Sequence, residues 1–140
     1  MKCFQKVLFF LFTALSSVCS AYAQYTVRFE IDELPATHVN DALYLAGSFN
    51  DWNPAIADFQ FSKTAEGRLV KQIKLPSAGV YEYKITRGQW TKVECAANGT
   101  AIGNRILKIQ SDTTIHISIA AWADDIPQRP PVSTRTKNVF

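Results

Sequence analysis

The chain has 140 residues, 47% of them apolar, with 15 Lys and Arg against 12 Asp and Glu for a formal charge of +3. That is the length of one domain, too short for two, and the apolar content excludes an intrinsically disordered chain.

In chain order, the first segment differs in kind from the rest of the chain. Lys2 and Lys6 flank the start of an apolar run over 7–18, and the small-residue pattern Ala21-Tyr22-Ala23 stands just before Gln24. This reads as a secretory signal peptide over 1–23, cut after Ala23. The run of about a dozen residues is well short of the roughly 20 that a membrane-spanning helix needs. Cys19 follows Val18 rather than a small residue, which argues against lipidation there. Removing 1–23 takes two lysines with it and leaves 13 basic against 12 acidic residues, a charge of +1. A chain so close to neutral offers neither a phosphate-neutralising stripe nor a polybasic cluster, so nucleic acid and anionic membranes are not expected partners. Cys3 and Cys19 also leave, so Cys95 has no intramolecular disulfide partner and is expected to be buried. The expected location is outside the cytoplasm: periplasmic, at the cell surface or secreted.

From Gln24 onward, period-two alternation recurs and no helix-length stretch keeps a clean 3.6 period, which predicts an all-β domain. Tyr25, Val27, Phe29 and Ile31 alternate with Thr26, Arg28 and Glu30 in a first strand, and 34–41 reads as a loop. A second strand covers 42–46. Residues 47–54 come next, a segment dense in turn formers around Phe49 and Trp52. A hairpin is expected from 59–62 and 68–75, then a turn at 76–79 and a strand at 80–86 with Tyr81, Tyr83 and Ile85 on one face.

A second arm at 90–95 is expected to pair with 80–86 across a three-residue loop, Arg87-Gly88-Gln89, setting Thr86 opposite Trp90 and Tyr81 opposite Cys95. That register collects the apolar residues on one face, whereas a two-residue loop would mix the faces. It puts Trp90 on the polar face, one diagonal step from Lys84. Asn98-Gly99-Thr100 matches a glycosylation sequon and also, more simply, an Asn-Gly hairpin turn. Two more strands are expected at 102–110 and 113–120, the latter with Ile115, Ile117 and Ile119 inward and His116 outward. Seven or so short strands separated by turns predict a β-sandwich over 24–122. The composition then changes to a Pro-rich linker or tail over 123–140.

Catalytic chemistry has little support. No nucleophile elbow, HExxH, CxxC or phosphate-binding loop is present. Cys95 with His38 or His116 makes a nucleophile and base in principle, but the alternation puts Cys95 inward and His116 outward. Two histidines 78 positions apart make no metal ligand set, and Asp124-Asp125 reads as a solvated turn rather than a Ca²⁺ site. No catalytic residue, metal or cofactor is expected.

What stands out is exposed aromatic surface beside hydrogen-bonding side chains. Trp52 lies in a polar loop and Trp90 on a polar face near Lys84. Sugars are held in this way, with pyranose C–H patches on a flat ring and Lys or Asn at the hydroxyl rim. The plainer alternatives are a plug at the end of the sandwich for Trp52, and packing on the Lys84 and Lys92 stems for Trp90.

The run from Leu43 to Pro54 containing Gly47-Ser48-Phe49-Asn50-Asp51-Trp52, then Tyr81-Glu82-Tyr83-Lys84 with Gly88-Gln89-Trp90, then Asn104-Arg105-Ile106, resembles the glycogen-binding domain of the AMP-activated protein kinase beta subunit and carbohydrate-binding module family 48. The resemblance spans about residues 26–120. It implies an early-set, immunoglobulin-like sandwich of antiparallel strands that binds α-1,4-linked glucans such as glycogen, starch or maltooligosaccharides. It further implies that Trp52 and Trp90 stack on consecutive glucose rings, and that Lys84 and Asn104 hydrogen-bond the hydroxyls. Thr100 falls where the family has a leucine inserted into the curve of the glucan, and a smaller polar residue there weakens that grip. Thr86-Arg87 replaces the acidic-Gly turn common in the family. Similar modules precede catalytic domains in secreted hydrolases and esterases, so a docking role beside a hydrolase domain is the alternative expectation.

Overall fold

The computed structural model describes residues 24–126, so the expected signal peptide at 1–23 and most of the tail expected over 123–140 lie outside the described residues. Among the described residues nine strands form in chain order: β1 (Tyr25–Glu33), β2 (Tyr44–Gly47), β3 (Ser62–Lys63), β4 (Leu69–Leu75), β5 (Gly79–Thr86), β6 (Glu94–Cys95), β7 (Arg105–Ile109), β8 (Thr113–Ser118) and β9 (Ala121–Trp122). Two 3-10 turns, Ala57–Phe59 and Trp90–Lys92, interrupt them. The strands make a four-stranded sheet in the order β3-β4-β1-β8, a three-stranded sheet β2-β5-β7, and a small ladder β6-β9.

The alternation read along β1 becomes a buried face. Val27 and Phe29 are fully buried, while Thr26 and Arg28 point outward and are half-buried. β4 opposes β1 with Ile73 beside Val27 and Leu75 beside Tyr25, and β8 lies on the other side of β1 with Ile115 beside Phe29 and Ile117 beside Ile31. The facing sheet supplies Leu45, Tyr83, Ile85, Leu107 and Ile109. Phe29 meets Tyr83 edge-to-face across the layers, with centroids 5.2 Å apart and planes at 69°. Each such large apolar side chain contributes about 1.5–3 kcal/mol when fully buried. Burial also pushes the Tyr83 hydroxyl up to about 12, away from ionisation.

The chain is therefore the all-β sandwich expected, with two corrections. The β1–β8 pair is parallel rather than antiparallel, with a register shift between Ile31 and Glu33. The expected pairing of 80–86 with 90–95 does not form. β5 instead pairs with β7, Tyr81 beside Leu107 and Tyr83 beside Arg105, and with β2, Leu45 beside Ile85. The first contact across the loop is an isolated bridge between Thr86 and Val93, and Cys95 lies opposite Ala121 of β9. Leu107 and Ile109 satisfy the apolar face of β5 as well as Val93 and Cys95 would, so the alternation alone did not choose between them.

Glu94 explains why the second arm turns away. Its carboxylate is 1% exposed, accepts the Ile85 amide at 2.9 Å, and takes a two-pronged ion pair from Arg105, whose Nη2 stands 2.7 Å from Oε2. Cys95 is buried as expected, with its thiol pushed up by burial first and by nearby carboxylates second. The Asn98-Gly99 turn forms as well: Ala96 donates to the Thr100 carbonyl and Gly99 to that of Ala96.

Candidate functional site

Trp52 sits in residues 48–56, between β2 and the first 3-10 turn, and the local chain is held from within. The amides of Asn50 and Trp52 both donate to the Gly47 carbonyl, at 3.1 and 3.0 Å. Asn50, 7% exposed, accepts the Gly47 amide on Oδ1 at 2.8 Å and donates from Nδ2 to the Leu45 carbonyl at 2.9 Å. Asp51 and Trp52 then adopt φ of 54° and 57°, left-handed values that cost a non-glycine residue energy and need a framework of this kind to persist. Gly47 is required by close approach: a Cβ there would come within 2.5 Å of the Glu82 carbonyl oxygen, to which Ser48 donates its amide. Thr86, buried on the outward side of β5, donates to the Pro54 carbonyl at 2.7 Å and so folds the loop over the three-stranded sheet.

Trp90 does not stand on a strand, as the expected hairpin had it. It opens the second 3-10 turn, inside a six-residue loop at 87–92 closed by the Arg87 amide donating to the Lys92 carbonyl at 3.0 Å. This loop and the 48–56 loop bring the two indoles together, with ring centroids 6.3 Å apart and planes inclined at 42°. Trp90 is 43% exposed and Trp52 is half-buried. Open clefts lie at 31–34 with 66–69, at 78–80 with 108–110, and at 26–28 with 112–114.

Lys84 lies on the outward face of β5 opposite Ala46. Its ammonium donates to the Ile102 carbonyl at 2.6 Å and the Gly103 carbonyl at 3.4 Å, which pins the segment leading into Asn104 and leaves one of its three donors. Extending the ladder one residue past Tyr83–Arg105 places Asn104 opposite Lys84. Asn104 is exposed and gives its Nδ2 to Glu82 Oε2 at 2.8 Å, so its Oδ1 is the group left to accept a hydroxyl. Thr100 makes its hydrogen bonds within its own turn, its hydroxyl donating to Asn98 Oδ1 at 2.8 Å. Its described hydrogen bonds do not join it to the other four residues.

Three residues at this end of the molecule were not singled out in the sequence. Asn50 was one turn former among several. Glu82 was one charge on a polar face, without its bond to Asn104. Arg87 was read as a loop residue, yet its side chain is 1% exposed. It bonds Asp41 Oδ2 at 2.6 Å and Asp124, and its guanidinium carbon lies 5.2 Å from the Trp122 ring centre. Asp124 and Asp125, read as a solvated turn, are tied in: Asp125 meets His38 at 2.8 Å and Thr37 at 2.5 Å. Among the described residues no cluster of His, Cys, Asp and Glu is placed to hold a metal ion. No helix among them is long and apolar enough to cross a membrane.

No family model matches the chain. Over 100 residues, 71% of the chain, it is 33% identical to an alpha-amylase of Niallia circulans, and it spans 8% of that protein's length. Among solved structures it is similar to a Glycoside Hydrolase Family 15 glucoamylase from Hypocrea jecorina, with a TM-score of 0.50 and 14% identity over 70% of this chain and 17% of that one, a likeness of fold.

Proposed function

We propose that this domain is an exported, non-catalytic carbohydrate-binding module of the family 48 type that holds α-1,4-linked glucans of the starch and glycogen class on Trp52 and Trp90. The observation that carries the reading is the indole pair, its ring centroids 6.3 Å apart with Trp90 exposed and Trp52 half-buried. The tilt of 42° supports an α-linked chain, in which successive sugar faces turn relative to one another, over a flat β-linked ribbon that wants coplanar rings. The relatives support a starch-type ligand, being an alpha-amylase and a glucoamylase by name. Export rests on the residues of 1–23.

Two stacks with a few rim hydrogen bonds correspond to affinities between micromolar and millimolar. The test is affinity electrophoresis through amylopectin with Trp52→Ala and Trp90→Ala as controls. Wild-type protein should be retarded and each variant should lose at least about fivefold in affinity, one stack being worth roughly 1 kcal/mol. Wild-type mobility unchanged on both α- and β-glucans would remove the reading. A second reading, a docking module beside a hydrolase domain, is favoured by the length of the amylase of which this chain spans only 8%. It predicts no retardation, but a raised melting temperature of that hydrolase domain when the two are joined.

A further inference from the structure

We propose that Arg87 is a positioning residue for the sugar platform: a buried clamp that sets Trp90 against Trp52 by tying the 87–92 loop to two other segments of the chain. Its effect on affinity rests on the sugar-stacking reading above, while its effect on indole geometry does not.

Three segments converge on this guanidinium. The first is the loop that carries Trp90, closed by Arg87 and Lys92 and turned by Gly88, whose φ of 83° favours glycine. The second is the connection from β1 to β2, which presents Asp41 to Nη1 at 2.6 Å and is folded so that the Asp41 amide donates to the His38 carbonyl. The third is the turn after β9, which presents Asp124 to Nη2 and is anchored by Ala123 donating to the Val93 carbonyl at 2.9 Å. His38 joins the second and third directly, with its ring nitrogens 3.3 Å from Asp41 and 2.8 Å from Asp125. Trp90 is three residues from the point where all of these meet.

Stability alone is a poor account of this arrangement. Arg87 Nε and Trp122 Nε1 are buried without an acceptor among the described residues, and a buried charge pair brings little net stability over apolar packing of the same shape. What a planar, forked cation between two carboxylates does supply is a single orientation. The loop it orients is the one whose tryptophan has to face a partner on a different loop.

The test reads indole geometry apart from global stability. Two indoles at this separation and tilt give an exciton couplet in the far-ultraviolet circular dichroism, to be assigned by its loss in Trp52→Phe and in Trp90→Phe. Arg87→Met keeps an unbranched apolar stem and removes the fork; Arg87→Lys keeps the charge without the fork. In protein that still melts cooperatively above the assay temperature, Arg87→Met should lose the couplet and about tenfold in affinity for amylopectin, with Arg87→Lys recovering part of each. A folded Arg87→Met with the wild-type couplet overturns the clamp. Should that variant fail to fold, Asp41→Ala and Asp124→Ala each remove one arm, and an unchanged couplet in both overturns it equally. If the wild-type protein binds no glucan, the stacking reading fails by itself and the couplet still decides whether Arg87 sets the pair.

Discussion

Asn50 shows how much of the Trp52 turn depends on one side chain. Its amide satisfies a buried donor, the Gly47 N–H, and a buried acceptor, the Leu45 carbonyl, in the stretch that precedes two consecutive left-handed residues. Asn50→Ala strands both groups, and the expected cost is about 2–4 kcal/mol, read from the midpoint of urea unfolding at constant slope. Asn50→Asp should not rescue it, because a carboxylate facing the Leu45 carbonyl cannot donate at neutral pH. Gly47→Ala tests the same turn from the other side. Its added carbon meets a backbone carbonyl that cannot rotate away, so a loss of about 1–3 kcal/mol is expected in the same measurement. At this scale the sequence was legible where residue type conflicts with surroundings: Trp52 and Trp90 stand out because large apolar rings sit among turn formers and charges. Asn50 does not stand out, since asparagine in a turn is ordinary and only its burial, 7% exposed, makes it structural. Arg87 was hidden for the complementary reason, because arginine in a loop reads as solvated until the two aspartates that bury it are placed beside it.

Strands were legible as elements and less so as partners. The alternation along β1, β5 and β8 identifies their buried faces, because burial acts on each strand by itself. Which strand lies beside which depends on residues far apart in the chain, and two pairings escaped the sequence for that reason. The parallel β1–β8 pair joins the first long strand to one of the last, with nothing local to announce it. Alternation between neighbouring strands favours a tight hairpin across Arg87-Gly88-Gln89, whereas the ion pair of Glu94 with Arg105 links the segment to β7 instead. That pair gives an element-scale prediction. Glu94→Ala leaves the Ile85 amide without its acceptor and Arg105, half-buried, without its counter-charge, and should cost about 3–5 kcal/mol in urea unfolding. Glu94→Gln keeps an oxygen for the Ile85 amide, so its loss should be clearly smaller; equal losses would mean that the amide contact contributes little.

At the scale of the whole molecule, the loops at one end of the sandwich are joined by charge where the sheets are joined by apolar packing, and the two respond differently to acid. The side-chain hydrogen bond and charge of Arg87 hold the Asp41 carboxyl below its ordinary 3.8; Thr37 first and then His38 do the same for Asp125. Arg28 first, then Arg68 and His116, hold Glu30 below 4.5 on the outer face of the four-stranded sheet. Each of these groups binds its proton more tightly in the unfolded chain than in the folded one, so unfolding takes up protons in acid. Their stabilising contribution is complete above the unfolded values of 3.8 and 4.5 and is lost as pH falls through the lower, folded values. These three groups therefore add no slope to the melting temperature above about pH 5 and a falling limb below it. Asp41→Asn removes one of the groups and with it one share of the proton uptake. Its melting temperature should be lower than wild type at neutral pH and should converge on wild type as the pH is taken down toward 3. Melting curves for the two proteins that stay parallel across that range would show that the Asp41–Arg87 contact does not couple folding to protonation, and that the loops are held by their packing alone.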